Sequence, residues 1–275
     1  MRTPLRRRPP ASAASSRHRH PRFALGLLAA AASALALTTG CSHAAPARPA
    51  VADQARAGTA GTARTAGTAG KPTPGPGGWT LVATTKGTIP RFATPGGHQD
   101  GTVPGQWYGS PSSLPVIGQR PGWFRVRLVT RPDGSTTWVR VADVTVTATP
   151  YRIVVNLAAE HLRLYRLGQL IMNVPAGIGT TQDPTPTGHY FVAMFEQSPS
   201  AGYGPFILVT SAHSHAIGDW EGSGDAVIGI HGPLGDASLI GTSGAALSHG
   251  CIRLPDPDLA RLRQVPVGTP ITITA

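Results

Sequence analysis

Cysteine is scarce in this sequence: Cys41 and Cys251 are the only two among 275 residues. Two thiols cannot supply the several disulfides of a small disulfide-stabilised domain, nor four thiolate ligands for a structural zinc ion. Residues 42–78, which lie between them, are mostly Ala, Gly, Thr, Pro and Arg and cannot form a core. We therefore expect no disulfide between the two cysteines.

Charged side chains are also few, at 13% of the chain, whereas glycine (34) and proline (27) are abundant. This composition predicts many turns and little long helix. The net charge of +11 first suggests a nucleic-acid partner. Seven arginines, however, lie before Phe23, where no acidic residue balances them, and the rest of the chain has 17 basic against 13 acidic residues. We therefore expect no nucleic-acid partner and assign the basic excess to targeting.

A long hydrophobic run is missing as well. The apolar run 23–37 is shorter than the roughly 20 residues that cross a bilayer. Its basic start and the small residues that follow predict a signal peptide over residues 1–40. Cys41 follows Gly40 as in a bacterial lipoprotein cleavage site, and this resemblance implies that Cys41 is acylated and anchors the protein to the outer face of the cytoplasmic membrane. The alternative is plain secretion.

Composition then divides the rest of the chain. Residues 41–78 predict a disordered Ala/Gly/Thr/Pro tether. From Trp79 onward, short β-rich segments follow one another, and residues 122–129 and 136–141 flank a turn at 132–135, which predicts a hairpin. We expect a small β-barrel over 79–149, which resembles bacterial SH3-type domains. Its role stays open between glycan or peptide binding and a spacer whose tryptophans lie in the core.

Residues 151–274 predict a second unit that is mainly β with one short helix. Segments 153–157 and 161–166 predict a hairpin, and 205–210 and 226–230 have the apolar runs of buried strands. In segment 169–175, the two-residue period puts Leu170, Met172 and Val174 on one face, which we expect to be buried. Asp256 is the expected N-cap of the helix, with Pro257 at its first position. Residues 268–274 predict a last strand.

Cys251 is the only cysteine in the predicted folded part. It lies in Ser248-His249-Gly250-Cys251-Ile252-Arg253-Leu254, and His231-Gly232 ends an apolar run 17 residues before Ser248. A lone thiol with a histidine elsewhere in the chain predicts a nucleophile and its base. A buried structural thiol is the alternative. The neighbouring glycines, which allow a substrate to approach the backbone, favour catalysis.

These motifs resemble the signature of the L,D-transpeptidase catalytic domain of bacterial cell walls. The likeness extends to an opening hairpin at 153–165 and to Pro-Thr-Pro-Thr-Gly at 184–188, and it covers 151–274. It implies a β-sandwich-like fold. It also implies cysteine acyl transfer that needs no cofactor and no metal.

The resemblance and the residues together assign candidate roles. Cys251 is the nucleophile and His231 the general base and acid, while His249 supports or lines the site. Backbone N–H groups of residues 249–251 are candidate oxyanion donors. Arg253 is expected to bind a substrate carboxylate, with a surface salt bridge as the alternative. The remaining expected substrate-binding residues are Ser248, Gly250 and Gly232.

The implied substrates are peptidoglycan stem peptides. Cys251 would attack the carbonyl of the third residue of a tetrapeptide stem and release D-alanine, and the side-chain amine of another stem would accept the acyl group, giving a 3→3 crosslink. Carbapenems and other β-lactams are implied covalent inhibitors. Water as acceptor would make a carboxypeptidase instead. A further alternative is a non-catalytic wall-binding lipoprotein.

A zinc protein is the competing interpretation from another class. Histidines 213, 215, 231 and 249 and the thiol of Cys251 offer enough ligands, and His-x-His can chelate. No acidic partner of the kind that zinc peptidases use is evident nearby in the sequence. Three acidic residues, at 219, 221 and 225, could hold a cation, although a solvated loop is the more common outcome for such a pattern.

Overall fold

A computed structural model of the chain describes residues 78–219, 224–242 and 245–275, which fall in one compact unit. The predicted signal peptide, the acylation site at Cys41 and all but the last residue of the tether lie outside the described residues. Within them, the chain forms nineteen strands and one short α-helix, which confirms the mainly β class. No helix in these three segments is both long and apolar enough to cross a bilayer.

The first sheet has seven strands and is formed by residues before Pro150. Its order is β3-β2-β8-β7-β6-β1-β9, and β4 and β5 form a separate small hairpin between β3 and β6. The strands are β1 (Thr80–Thr85), β2 (Ile89–Phe92), β3 (Gln99–Val103), β4 (Gln106–Trp107), β5 (Ser110–Pro111), β6 (Ser113–Arg120), β7 (Trp123–Arg127), β8 (Thr136–Arg140) and β9 (Val144–Thr149).

The second sheet has eight strands in the order β12-β11-β10-β19-β14-β15-β16-β18, and β13 pairs with β17 beside it. The strands are β10 (Tyr151–Asn156), β11 (His161–Arg166), β12 (Gln169–Pro175), β13 (Ile178–Gly179), β14 (Gly188–Glu196), β15 (Ile207–His213), β16 (Val227–His231), β17 (Ala246–Ser248), β18 (Ile252–Arg253) and β19 (Pro270–Thr274). Helix α1 (Asp256–Arg261) follows β18.

Both predicted hairpins are confirmed, since β7 pairs antiparallel with β8 and β10 with β11. The prediction for β12 is wrong at one residue. Met172 and Val174 are buried, but Leu170 is 51% exposed. The register shifts between Leu164 and Tyr165, which pair with Met172 and Leu170, so a β-bulge breaks the two-residue alternation there.

The start of the helix also differs from the prediction by one residue. Pro255, with φ −55° and ψ 141°, occupies the N-cap position and offers no side-chain cap, and Asp256 is the first helical residue. The acidic groups of Asp256 and Asp258 lie in the first turn, where they interact favourably with the helix dipole.

Two buried clusters stabilise the fold, and the second one joins the two sheets. The first cluster lies within the second sheet and includes Ile153 and Ile230. The other contains the core of the first sheet together with Phe191 and Ala193 of β14. The two sheets therefore share a hydrophobic core. In the described segments, Trp79 is exposed and the other tryptophans are partly buried, so both roles considered for the first unit stay open.

Candidate active site

Strand register brings Cys251 and His231 to one face of the second sheet. Strands β16 and β18 are parallel neighbours, with Ile230 opposite Ile252 and His231 opposite Arg253. Cys251 therefore lies beside Gly229, which is two residues before His231 and on the same face. Both side chains line a single cavity of about 810 Å³.

Gly229 separates the two groups without blocking them. A Cβ built on Gly229 would lie 3.8 Å from His231 Cδ2 and 4.0 Å from Cys251 Sγ. One point is therefore within 4.0 Å of both the imidazole edge and the sulfur. A larger side chain at Gly229 would occupy the space between thiol and imidazole, which proton transfer requires to be open.

Cys251 is intermediate in exposure as a whole residue and lines this cavity. The backbone N–H of Gly229 donates a weak hydrogen bond to Sγ at 3.4 Å. Burial raises the pKa of the Cys251 thiol, and the Gly229 hydrogen bond and the Arg253 charge offset only part of that effect. The resting nucleophile at neutral pH is therefore a thiol, which needs a base to become a thiolate.

His231 is 3% exposed, and its tautomer is fixed by one hydrogen bond. Nδ1 lies 2.8 Å from the carbonyl oxygen of Gly232, which can only accept, so Nδ1 carries the hydrogen and Nε2 has the free lone pair. Burial lowers the pKa of His231 to about 4; the Gly232 hydrogen bond acts in the opposite direction, and the Arg253 charge lowers the pKa further. His231 is thus a neutral base at pH 7.

Gly232 and Tyr203 hold the His231 ring in place. The N–H of Gly232 donates to the Tyr203 carbonyl at 2.8 Å, and the Tyr203 and His231 rings are 4.9 Å apart. A Cβ on Gly232 would lie 2.6 Å from the backbone nitrogen of Gly204, so only glycine fits. These contacts give Gly232 a packing role. Tyr203 was missed by the sequence analysis, where only its flanking glycines distinguish it.

Ser248 and Gly250 shape the turn that presents Cys251. Ser248 Oγ donates to the Cys251 carbonyl at 2.5 Å and accepts from the Gly250 N–H at 3.1 Å. Gly250 has φ +114°, and a Cβ there would lie 2.8 Å from Ile228 Cδ1. Because the Gly250 N–H is already used, the N–H groups of His249 and Cys251 are the remaining oxyanion candidates of the three predicted.

Thr185 connects the Pro-Thr-Pro-Thr-Gly segment to the same turn. Its side chain is 3% exposed, and Oγ1 donates to the Gly250 carbonyl at 2.8 Å and accepts from the Gly179 N–H at 2.9 Å. The segment was recognised from the sequence as a motif, but this contact, 65 residues apart in the chain, was not. Thr185 therefore positions the backbone next to the nucleophile.

Arg253 and His249 line the cavity beside Cys251. The Arg253 guanidinium forms an ion pair with Asp236, the alternative that the sequence left open. Its Nε is nevertheless buried and has no hydrogen-bond partner within the segments that the structure describes. His249 is 64% exposed at its side chain, and its Nε2 lies 3.8 Å from Asp183 Oδ2.

Of the histidines in the zinc hypothesis, His231 and His249 line the cavity with Cys251, whereas His213 and His215 do not. His213 Nδ1 lies 2.6 Å from Asp133 Oδ1, in the turn between β7 and β8, and the His213 N–H donates to the same carboxylate. Arg131 donates to Asp225 at 3.0 Å. No group of three His, Cys, Asp or Glu side chains in the described part of the chain is arranged to hold a metal ion.

The cavity extends beyond Cys251 to residues of the first sheet region. Its wall includes Trp107 and Tyr108, from the hairpin formed by β4 and β5, together with Met194 and Glu196 of β14. No site was predicted within residues 79–149, because no local pattern links that hairpin to a cavity formed by strands about a hundred residues later.

A family model and curated relatives match the part of the chain that carries this site, and they name the same family. Residues 150–273 match the family model of the L,D-transpeptidase catalytic domain, named YkuD. A YkuD-type L,D-transpeptidase of Bacillus licheniformis is 32% identical over 126 residues, 46% of this chain and 66% of that protein. The chain spans about 66% of the length of the curated relatives it matches.

Solved structures of low sequence identity are also similar. An L,D-transpeptidase from Mycobacterium smegmatis is 19% identical, with 59% of this chain and 82% of that chain covered and a TM-score of 0.38. An L,D-transpeptidase whose structure contains imipenem is 20% identical, with a TM-score of 0.38. The match covers 70% of this chain and 82% of that chain.

Proposed function

We propose that the chain is a cysteine-dependent L,D-transpeptidase that forms 3→3 crosslinks between peptidoglycan stem peptides. The family match over 150–273 supports the class of reaction. The observation that carries the proposal is the placement of Cys251 and His231 on one face of adjacent strands, in one cavity. The Cys251 thiol must lose its proton before it can attack. The neutral His231 imidazole can accept that proton, because its Nε2 lone pair is available.

In the first half-reaction, His231 Nε2 takes the proton from Cys251 as Sγ attacks the carbonyl carbon of the third stem residue. The N–H groups of His249 and Cys251 stabilise the oxyanion. The C–N bond to the terminal D-alanine then breaks, and the imidazolium gives its proton to the leaving amine. A thioester on Cys251 and free D-alanine are the products.

In the second half-reaction, the side-chain amine of another stem attacks the thioester carbonyl. His231 accepts a proton from the amine and returns it to the departing sulfur, which restores the thiol. Arg253 lines the cavity beside Cys251, where its guanidinium charge attracts a carboxylate of the substrate. Because every proton moves between Cys251, His231 and the substrates, the reaction uses no cofactor.

The proposed place of action is the cell wall. A signal peptide over 1–40 would export the chain, and acylation of Cys41 would hold it at the outer face of the cytoplasmic membrane. The tether would then allow the catalytic unit to reach stem peptides at a distance from the bilayer. Mass spectrometry of the mature N-terminus tests this: a diacylated or triacylated cysteine supports the anchor, and an unmodified N-terminus contradicts it.

Intact-mass analysis tests the chemistry. The full chain is incubated with a carbapenem and, separately, with a synthetic stem tetrapeptide. We expect one covalent carbapenem adduct and, with the peptide, dimers joined between two third residues. A Cys251→Ser variant is the matched control and should show neither. A product that has only lost D-alanine would identify a carboxypeptidase, and crosslinking by Cys251→Ser would contradict the proposed nucleophile.

A further inference from the structure

The hairpin formed by β4 and β5 has an unusual tip. Trp107 pairs with Ser110, so Tyr108 and Gly109 form a two-residue turn, and their φ angles are +46° and +78°. Turns with positive φ at both positions favour Asn-Gly, and a bulky aromatic residue at the first position is strained. Tyr108 is also 56% exposed. A strained and exposed aromatic side chain in a catalytic cavity points to a role in binding.

The hairpin is held in a fixed position relative to the second sheet. Trp107 packs against the hydrophobic cluster that contains Phe191 and Ala193 of β14. The Trp107 and Tyr108 rings form an edge-to-face pair with centroids 4.7 Å apart. The buried contact between Asp133 and His213 attaches the first sheet to β15 as well. Packing therefore holds the two aromatic rings in the wall of the cavity.

The attachment points lie far from the nucleophile. Across the cavity floor, Met194 pairs with Val209 and Val209 with Gly229, which lies beside Cys251. With neighbouring strands about 4.8 Å apart, β14 is roughly 14 Å from the strand that carries Cys251. Because Trp107 packs against the cluster that includes β14, we place the hairpin toward the β14 side of the cavity. The separation of β14 from Cys251 then decides which part of a substrate can reach the hairpin.

When the carbonyl of the third stem residue lies at Cys251, two parts of the stem peptide extend away from that carbonyl. The side-chain ammonium of the third residue extends only a few bonds. The N-terminal residues of the stem extend about 3.3–3.6 Å each, so three of them span roughly 10 Å or more and lead to the amino sugar to which the stem is attached. The sugar, not the ammonium, reaches the aromatic pair.

The lining of this end suits a neutral sugar. The faces of aromatic rings are electron-rich and attract the C–H face of a pyranose ring. Glu196 of β14 lines the same cavity, and its carboxylate forms no ion pair among the residues described. Its carboxylate is therefore available to accept hydrogen bonds from sugar hydroxyl or amide groups.

We propose that Trp107, Tyr108 and Glu196 form a subsite for the amino sugar of the acyl-donor strand. The proposal rests on the proposed function for the orientation of the stem. On this proposal, the first sheet region helps to select the acyl donor and also supports the catalytic sheet.

The test compares two acyl donors with the full chain: a free stem tetrapeptide and the same peptide attached to its disaccharide. We expect kcat/KM for D-alanine release to be on the order of tenfold higher with the disaccharide. Tyr108→Asn should lower kcat/KM on the disaccharide-linked peptide much more than on the free peptide, and so remove most of this preference. It should also raise the melting temperature, because Asn-Gly suits the turn. A merely structural role for Tyr108 predicts no such loss.

Trp79→Ala is the control, since Trp79 is exposed but lies outside the cavity; it should keep the preference. Equal kcat/KM for both donors in the wild type, or a preference that survives Tyr108→Asn, would overturn the proposal. So would loss of the preference on acetylating the third-residue amine. If the wild type is not acylated at all, the proposed function fails instead, and calorimetric binding of the disaccharide to wild type and Tyr108→Asn still decides the subsite.

Discussion

Burial of His231 predicts a specific loss of stability in mild acid. The pKa of His231 is about 4 in the folded chain because of burial, against 6.5 for an unperturbed histidine. Between these two values the unfolded chain binds a proton that the folded chain does not, so the free energy of unfolding falls as the pH falls. The loss is about 2 kcal/mol at pH 5.0 and close to zero at pH 7.5.

A matched variant isolates this contribution. His231→Gln removes the titrating group and keeps an N–H donor for the Gly232 carbonyl. Urea unfolding of both proteins at pH 7.5 and pH 5.0 gives four free energies, and other titrating groups cancel in the double difference. We expect the wild type to lose about 2 kcal/mol more than the variant between the two pH values. A double difference below about 0.5 kcal/mol, or of opposite sign, would refute the assignment.

The same pKa sets the acid limb of catalysis. Attack by a protonated thiol needs a neutral imidazole. With a His231 pKa of about 4, the rate of acylation by a carbapenem should be nearly constant from pH 7.5 to pH 5.5. A histidine of ordinary pKa would instead give roughly a tenfold fall over that range. Stopped-flow acylation across pH 4–8 distinguishes the two, and an acid limb near pH 6.5 would mean that the ring is solvated in the working enzyme.

Three further substitutions test contacts around the site. Gly250→Ala should lower the free energy of unfolding by about 1–3 kcal/mol and slow acylation, since its Cβ would contact Ile228 at 2.8 Å; urea unfolding and carbapenem labelling measure both. Thr185→Val should cost about 1–3 kcal/mol, because two buried backbone partners lose their hydrogen bonds; the same two assays apply, and unchanged values would show that the contact is dispensable. Asp133→Asn should lower the melting temperature at pH 7. Burial raises the pKa of Asp133, but hydrogen bonds from His213 outweigh that effect and lower the pKa overall. The carboxylate therefore stabilises the fold above about pH 4. The difference from wild type should vanish in stronger acid, and a constant difference would contradict this cause.

The local parts of the fold could be predicted because they depend on neighbours in sequence. The hairpin of β7 and β8 and the buried strand β16 follow from alternation and apolar runs. The exposed Leu170 could not be predicted, because a bulge is set by the partner strand and leaves no mark in the apolar pattern. The helix begins one residue earlier than predicted because Pro255 supplies the extended N-cap backbone itself.

The candidate site also has residues that could be predicted from the sequence and contacts that could not. Cys251 and His231 could be named from the sequence because each lies in a short motif, but the parallel pairing of β16 with β18 that brings them together was not predicted. The contacts of Thr185 and Tyr203 could not be named, because they join a side chain or carbonyl to backbone that is distant in the chain. Interactions of this kind depend on the folded geometry and not on residue type.

Strand β14 explains why the boundary predicted near Pro150 is not a free hinge. Tyr190 and Val192 belong to the core of the second sheet, whereas Phe191 and Ala193, which alternate with them, belong to the cluster shared with the first. A strand that is apolar on both faces must be covered on both faces, since exposing a phenylalanine costs about 1.5–3 kcal/mol. The continuous apolar run at residues 190–194 therefore required a second layer, and the first sheet provides it. This packing, and not the length of a linker, fixes the distance from the aromatic hairpin to Cys251.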